Sequence, residues 1–257
     1  MPAFEAAFLQ TIEDAAVNAS APLEQLWLDG WLVRRGREKA KRARCILAMA
    51  VGRSSLFNRI GRASALYEAA GLSICARLTP FSQPPSLEED LTALGWNAFD
   101  ESRVMVCARI PAEPMLQPLV GCHITPSELS EFAEVLGRFQ GASAIQQAAH
   151  AERLQRSPVI HEALVAEDDA GRVIACGEAA TEGRRVGLYG IHTAHDWRGR
   201  GLAASVCAAL LKVGSARGAS VAYLQVEADN AVARRLYARF GFVDAYSYRY
   251  MAPPEVG

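Results

Sequence analysis

The chain has 257 residues, of which 51% are apolar and 21% charged, with 27 lysines and arginines against 28 aspartates and glutamates for a net charge of −1. That length suits two domains of about 120 residues each, and the composition is that of a soluble globular protein with ample core. Near-neutrality gives no overall pull toward nucleic acid or an anionic membrane, and no apolar run approaches the roughly 20 residues needed to span a bilayer.

The N-terminal stretch MPAFEAAFLQTIEDAA is acidic and amphipathic, without the basic flank and long apolar run of a signal peptide. Next come short β-type runs bounded by Gly, Pro or charge: GWLVRRG, ARCILAMAV, LSICARLTP and SRVMVCARI. Two helical stretches lie between them, SLFNRIGRASALYEAAG and SLEEDLTALG, each ending on a glycine suited to a left-handed cap. The basic run RRGREKAKRAR, Arg34 to Arg44, reads as a solvated hairpin between strands rather than a binding patch. It lacks the interleaved aromatics of a nucleic-acid surface. The six cysteines are scattered, with no C-x-x-C and no metal-like pairing with histidine. They read as buried small hydrophobes of a reduced, cytoplasmic protein that binds no metal.

Three prolines in RIPAEPMLQPLVG, Arg109 to Gly121, mark an extended linker. The expected boundary divides residues 1–112 from 113–257. After it a short strand, LVGCHIT, leads to PSELSEFAEVLGRF, where Ser127 is the expected N-cap, and then to a second helix, AIQQAAHAERLQ. Strands follow at HEALVAED, RVIACGEAA and RVGLYGIHTA, then a helix from Gly201, a strand SVAYLQVEA, a helix from Asn230 and a last strand AYSYRYMA. The tails of the two halves align without a gap at an offset of 146: Gly95 with Gly241, Trp96 with Phe242, Arg103 with Arg249, Met105 with Met251. This points to a duplicated domain.

HDWRGRGLAASV, His195 to Val206, sits between a strand and a helix. The first turn of a helix presents unpaired N–H groups at the positive end of its dipole. Gly199, Gly201 and Ala203 leave those groups open, and Arg198 and Arg200 add charge, so the stretch suits a pyrophosphate. A plain glycine turn is the alternative. Downstream lies NAVARRLYARFGF, with Tyr237 following Leu236.

Together these motifs resemble the GNAT superfamily of N-acetyltransferases. The signature Q/R-x-x-G-x-G/A is met by Arg198, Gly201 and Ala203, and the L-Y-x-x-x-G-F element by Leu236 to Phe242. The resemblance covers roughly Pro118 to Met251, and the first half resembles a degenerate repeat. It implies an α/β (α+β) fold of two tandem GNAT-like domains, each a mixed, mostly antiparallel sheet flanked by helices. It implies acetyl-CoA as cosubstrate, with its pyrophosphate on the amides of Arg198, Gly199, Arg200, Gly201, Leu202, Ala203 and Ala204. The pantetheine arm would pair with the backbone of Ile191 and Thr193, and Asn230 would touch it.

Tyr237 stands where the family places the acid that protonates the departing thiolate; filling the core is its other reading. A phenol with a pKa of about 10 keeps its proton at neutral pH. Glutamate eleven residues before the signature arginine serves as base in members that acetylate protein lysines; here Gly187 stands there. Glu178, on a neighbouring strand expected to face the cleft, is the candidate base, acting directly or through water, while His192 and His195 read as structural or surface groups. In the first half, Gly52-Arg53-Ser54-Ser55-Leu56-Phe57 replaces the signature and Leu91 replaces Tyr237. The expected activity is transfer of acetyl to a primary amine of a small molecule or peptide, with a non-catalytic acyl-CoA sensor as the alternative. No nucleic-acid or membrane partner is expected, and a homodimer is left open.

Overall fold

The computed structural model describes residues 4–112 and 121–254; the centre of the proline-rich linker, 113–120, lies outside the described residues. In chain order the first half comprises α1 (Ala6–Ala19), β1 (Gln25–Leu28), β2 (Trp31–Arg34), β3 (Ile46–Ala48), α2 (Leu56–Ala69), β4 (Ala76–Leu78), α3 (Leu87–Ala93) and β5 (Asn97–Cys107). The second comprises β6 (Cys122–Ser127), α4 (Leu129–Gln140), α5 (Ala144–Arg156), β7 (Ile160–Asp168), β8 (Val173–Glu182), β9 (Arg185–Thr193), α6 (Leu202–Ala216), β10 (Val221–Glu227), α7 (Ala231–Ala238) and β11 (Val243–Ala252). Among the described residues no helix is long and apolar enough to cross a membrane.

The offset of 146 extends beyond the aligned tails. α2 opens at Leu56 and α6 at Leu202. Helices α3 and α7 end in the same way: Gly95 at φ +84° and Gly241 at φ +83° turn the chain. The next amide then bonds back, Trp96 to the Leu91 carbonyl at 3.0 Å and Phe242 to the Tyr237 carbonyl at 3.3 Å. Glycine takes these left-handed positions without the penalty a Cβ would bring, and the aromatic that follows is buried in each case.

The two halves share one sheet, of order β1-β2-β3-β4-β11-β5-β10-β9-β8-β7-β6. Most pairs are antiparallel, but β3 runs parallel to β4 and β9 parallel to β10. The last strands are exchanged. β5 pairs with β10 of the other half, and β11 pairs with β4, while β5 and β11 pair with each other at the centre. Helices α6 and α7 cover one face of the second half, with Leu202, Val206, Leu210 and Tyr237 in a core that includes Met105 and Cys107 of β5. On the other face α1 packs on Val104, Val106, Tyr189, Tyr223 and the alternating Tyr246, Tyr248 and Tyr250 of β11. Period-two side chains on one strand face explain that tyrosine row.

Three local expectations change. Ser127 is the last residue of β6, and the N-cap of α4 is Glu128, whose side chain makes no capping bond. Ser127 Oγ instead reaches Glu131 at 3.3 Å. Strand β1 was not anticipated. The basic run does join the antiparallel pair β2 and β3 as a hairpin, but it is not solvated throughout: Arg34 is 1% exposed and Glu38 4%. The cause is the C-terminus of α1, whose last carbonyls need donors. Arg34 gives its guanidinium to Val17 O at 2.6 Å and Ser20 O at 3.2 Å, and Arg153 of α5 donates to Ala19 O at 2.8 Å. Three further cations, Lys39, Lys41 and Arg42, follow along that run, and with Ala40 they line the cleft described next.

Candidate active site

The cleft begins with a glycine. Gly190 in β9 has φ +59°, and the register between β8 and β9 shifts between Cys176 and Glu178, so β9 carries a bulge. Gly190 has a second constraint: a Cβ there would lie 2.8 Å from Leu136 Cδ2 and 2.9 Å from Phe132 Cζ of α4. The parallel pairing of β9 with β10 stops just before the bulge, at Leu188↔Leu224. Beyond that point Tyr189–Ile191 and Gln225–Glu227 form the two walls of a cleft of about 540 Å³, which also takes in Asn230, Tyr237, Tyr248 and Tyr250.

At the end of β9 a 3-10 turn, His195–Trp197, leads to the glycine stretch. Gly199 and Gly201 both hold positive φ, +77° and +82°, and a Cβ at Gly199 would meet only open space. The first helical bond of α6 runs from Ser205 N–H to Gly201 O at 3.0 Å, which leaves the Leu202, Ala203 and Ala204 amides without an intrahelical acceptor. Arg200 lies over the Trp197 ring at 4.6 Å, and Arg198 Nε reaches Thr193 O at 3.4 Å, so both cations are held beside the turn. Close packing fixes α6 itself: a Cβ on Gly177 of β8 would come within 2.9 Å of Val206 and Leu210, and one on Gly214 within 2.7 Å of Val186.

Asn230 caps α7, its Oδ1 accepting from Ala233 N–H at 3.0 Å. Seven residues on, Tyr237 is 8% exposed and packs edge-on against Phe242 at 6.2 Å. It is therefore both a core residue and a cleft residue. Burial, with the Cys207 thiol beside it, pushes its phenol above the usual value of 10.

Glu178 does not face this cleft. It is 3% exposed and lines an adjoining small cavity of about 70 Å³ with Glu38, Arg42, His150 and Arg153. His161 Nδ1 lies 3.6 Å from its Oε2. Burial opposes its ionisation, but His161, then Arg153 and His150, outweigh burial and hold the carboxyl at about 2. A carboxyl held that low among His161, Arg153 and His150 is a weak proton acceptor, which argues against Glu178 as a general base. At Gly187, a Cβ would come within 2.6 Å of the Tyr189 and Tyr223 rings, so no glutamate fits there either. His192 stacks on Phe139 at 4.9 Å, and His195 is exposed beside Asp196 at 3.1 Å.

The first half is built differently at each equivalent point. Asp29 offers its carboxylate to the Arg53 and Ser54 amides at 2.8 and 2.7 Å, just before α2, and Ser55 caps the helix by accepting from Asn58 N–H. An internal anion thus occupies the place where the second half is open. Those backbone bonds hold the Asp29 carboxyl at about 2. On β4, Arg77 is ion-paired with buried Glu13 of α1 and lies 3.9 Å from the Tyr248 ring, and Tyr246 donates to Glu13 at 2.7 Å. Leu91, at Tyr237's equivalent, is buried.

Residues that sequence reasoning missed are Arg42, Tyr189, Tyr248 and Tyr250. The Y-x-Y-x-Y spacing of β11 was the available signal.

The family described as "Probable histone acetyltransferase Rv0428c C-terminal" matches residues 6–251. No curated protein matches the chain. A GCN5-related N-acetyltransferase from Kribbella flavida is similar over 99% of this chain and 97% of its own, at 16% identity and a TM-score of 0.68. A functionally unknown conserved protein from Staphylococcus epidermidis aligns over 89% and 92%, at 11% identity and 0.64. A tandem GNAT protein from the clavulanic acid biosynthesis pathway aligns over 76% and 68%, at 14% identity and 0.59. At such identities these structures speak to the fold alone. Family match and fold agree: the chain belongs to the Rv0428c C-terminal family of the GNAT superfamily of N-acetyltransferases.

Proposed function

We propose that the chain transfers acetyl from acetyl-CoA to a primary amine of a small molecule or peptide, with residues 113–257 catalytic and 1–112 a degenerate copy. One observation carries this reading: a splayed strand pair and the Tyr237 side chain line a single cleft, β9 leads from it to an open helix N-terminus, and the matching points of the first half hold Asp29 on the amides before α2, the Glu13–Arg77 ion pair, and Leu91. The amides from Arg198 to Ala204 would hold the pyrophosphate, where N–H groups and dipole favour it. Ile191 and Thr193 would pair with the pantetheine arm, and Asn230 would lie beside it.

The amine must arrive neutral. Its nitrogen attacks the thioester carbonyl carbon, the C–S bond breaks with its electron pair on sulfur, and Tyr237 supplies the proton that makes the thiol. The proton lost by nitrogen returns through solvent to the phenolate. Burial disfavours a thiolate in this setting as it disfavours a phenolate, so a hydrogen bond from Tyr237 acts where charge develops. With Glu178 unsuited and Gly187 in the family's base position, deprotonation rests on solvent.

The test is thiol release from acetyl-CoA with a panel of polyamines, aminoglycosides, amino acids and peptides with free N-termini. Release above the hydrolysis rate with an acetylated product is expected. Acetyl-CoA binding without release across the panel assigns the chain to acyl-CoA sensing instead.

A further inference from the structure

The acceptor end of the cleft is built by both halves. Arg42, Lys39 and Lys41 come from the first half, and Tyr189 and Gln225 from β9 and β10. Two of the three cations are engaged. Lys39 donates to Gln140 O at the C-terminus of α4, and Lys41 pairs with Asp100 at 2.5 Å. Arg42 differs. It is half-buried, lies 5.0 Å from the centre of the Tyr189 ring, and donates to Gln225 Oε1 at 3.4 Å. Gln225 Oε1 also accepts from Tyr248 Oη at 3.0 Å, so that acceptor is shared. No carboxylate forms an ion pair with Arg42 among the described residues.

Glu38, in the small cavity that Arg42 also lines, attracts the guanidinium but pairs with Arg153 at 2.8 Å, so Arg42 has no carboxylate of its own, and buried charges are ordinarily paired. Here the side chain sits on the face of the sheet away from α7, against the Tyr189 ring that packs with α1, while Tyr237 belongs to the α6 and α7 face. The cleft therefore has Tyr237 on one side and a planar cation without a paired carboxylate on the other. A guanidinium fork matches a carboxylate with two parallel N–H···O bonds. Lys39, Lys41 and Arg42 against Asp100 and Glu227 leave the cleft lining one net positive charge, which balances a monoanion rather than a phosphate dianion.

Resting on the acetyltransferase reading, we propose that the acceptor is an amino carboxylate, an amino acid or close relative, and that Arg42 of the degenerate half binds its carboxylate. Arg42 is then a specificity residue, and the first half contributes directly to substrate choice.

The experiment compares amino acids with their methyl esters and decarboxylated amines, using acetyl-CoA and the full chain at one pH. The ester keeps the amine and lowers its pKa, which biases the comparison against the proposal. Charge-assisted bonds of this kind contribute about 1.5–3 kcal/mol, so kcat/KM for the acid should exceed that for its ester by about 10- to 150-fold. In R42A that ratio should fall to within about threefold of one, through KM rather than kcat, with R42K intermediate. Acetyl-CoA affinity measured on each variant reports folding of the donor site. Equal use of acid and ester by the wild type, or an unchanged ratio in R42A, overturns the proposal and leaves acetyl transfer standing. Acetyl-CoA binding without transfer to any amine overturns both.

Discussion

Replacing Gly190 by alanine tests whether β9 is held off β10 by a backbone that only glycine can adopt. Two costs follow from the geometry. A left-handed φ, here +59°, costs a residue with Cβ about 1–2 kcal/mol. The new methyl would also lie 2.8 Å from Leu136 and 2.9 Å from Phe132, both buried, and overpacking of that kind costs about 1–3 kcal/mol. The sum is about 2–5 kcal/mol. Gly183, in the turn between β8 and β9, is the control: its φ is +56° and nothing lies within 4 Å of a Cβ. G183A should therefore show the first cost alone. At about 2–4 °C per kcal/mol for a chain of this size, thermal unfolding should drop by roughly 5–15 °C in G190A and by about half of that or less in G183A. Acetyl-CoA affinity should fall in G190A only, since the clash is relieved by moving the cleft wall. Equal midpoints for the two variants would refute the claim that α4 constrains the bulge.

Four further outcomes are expected. Y237F should lower kcat about 100-fold or more while the Kd for acetyl-CoA stays within about twofold, by single-turnover assay and calorimetry. Because the Tyr237 phenol is raised above 10, wild-type activity should climb with pH as the acceptor amine loses its proton, with no acid limb lost below pH 10. D29N should be less stable than wild type at neutral pH. Asp29's folded pKa of about 2 lies below the ordinary 3.8, so its contribution is full above about pH 4 and fades as pH falls toward 2; denaturation midpoints of the two proteins should converge across that window. E178Q should lose about 3 kcal/mol of stability, as breaking a buried ionic network does, yet keep the wild-type pH–rate profile. A missing limb in that profile would restore Glu178 as a base.

Much of the second half was legible because its signals are local. Gly199, Gly201 and Ala203 before an apolar period, Asn230 before α7 and the glycine after each late helix depend on conformations of a few neighbouring residues. The basic run from Arg34 to Arg44 was misread for the opposite reason: charge counting sees cations, but the α1 carbonyls that take up Arg34 lie 14 and 17 residues away from it. Strand β1 went unseen because it is four residues long, with Trp27 exposed, and so lacks a clean two-residue pattern. Glu178 looked available in sequence because strand alternation gives a face but does not say that His161, Arg153 and His150 converge on that face. Ser127 has the right side chain for a cap, yet the strand simply runs one residue further than its turn chemistry suggests.

The exchange of β5 and β11 ties the fate of the two halves together. A truncation at the linker would leave the second half's sheet ending on a bare β10 edge and strip Met105 and Cys107 from the core beneath α6. The first half would equally lose the strand that flanks β4. Neither portion can reach its native sheet before the other's final strand has been synthesised, so folding waits on contacts between residues far apart in sequence. Unfolding should be one cooperative event rather than two. A copy without the glycine stretch and tyrosine of the other cannot be discarded by deletion, because it carries part of the frame that keeps the second half's cleft in shape.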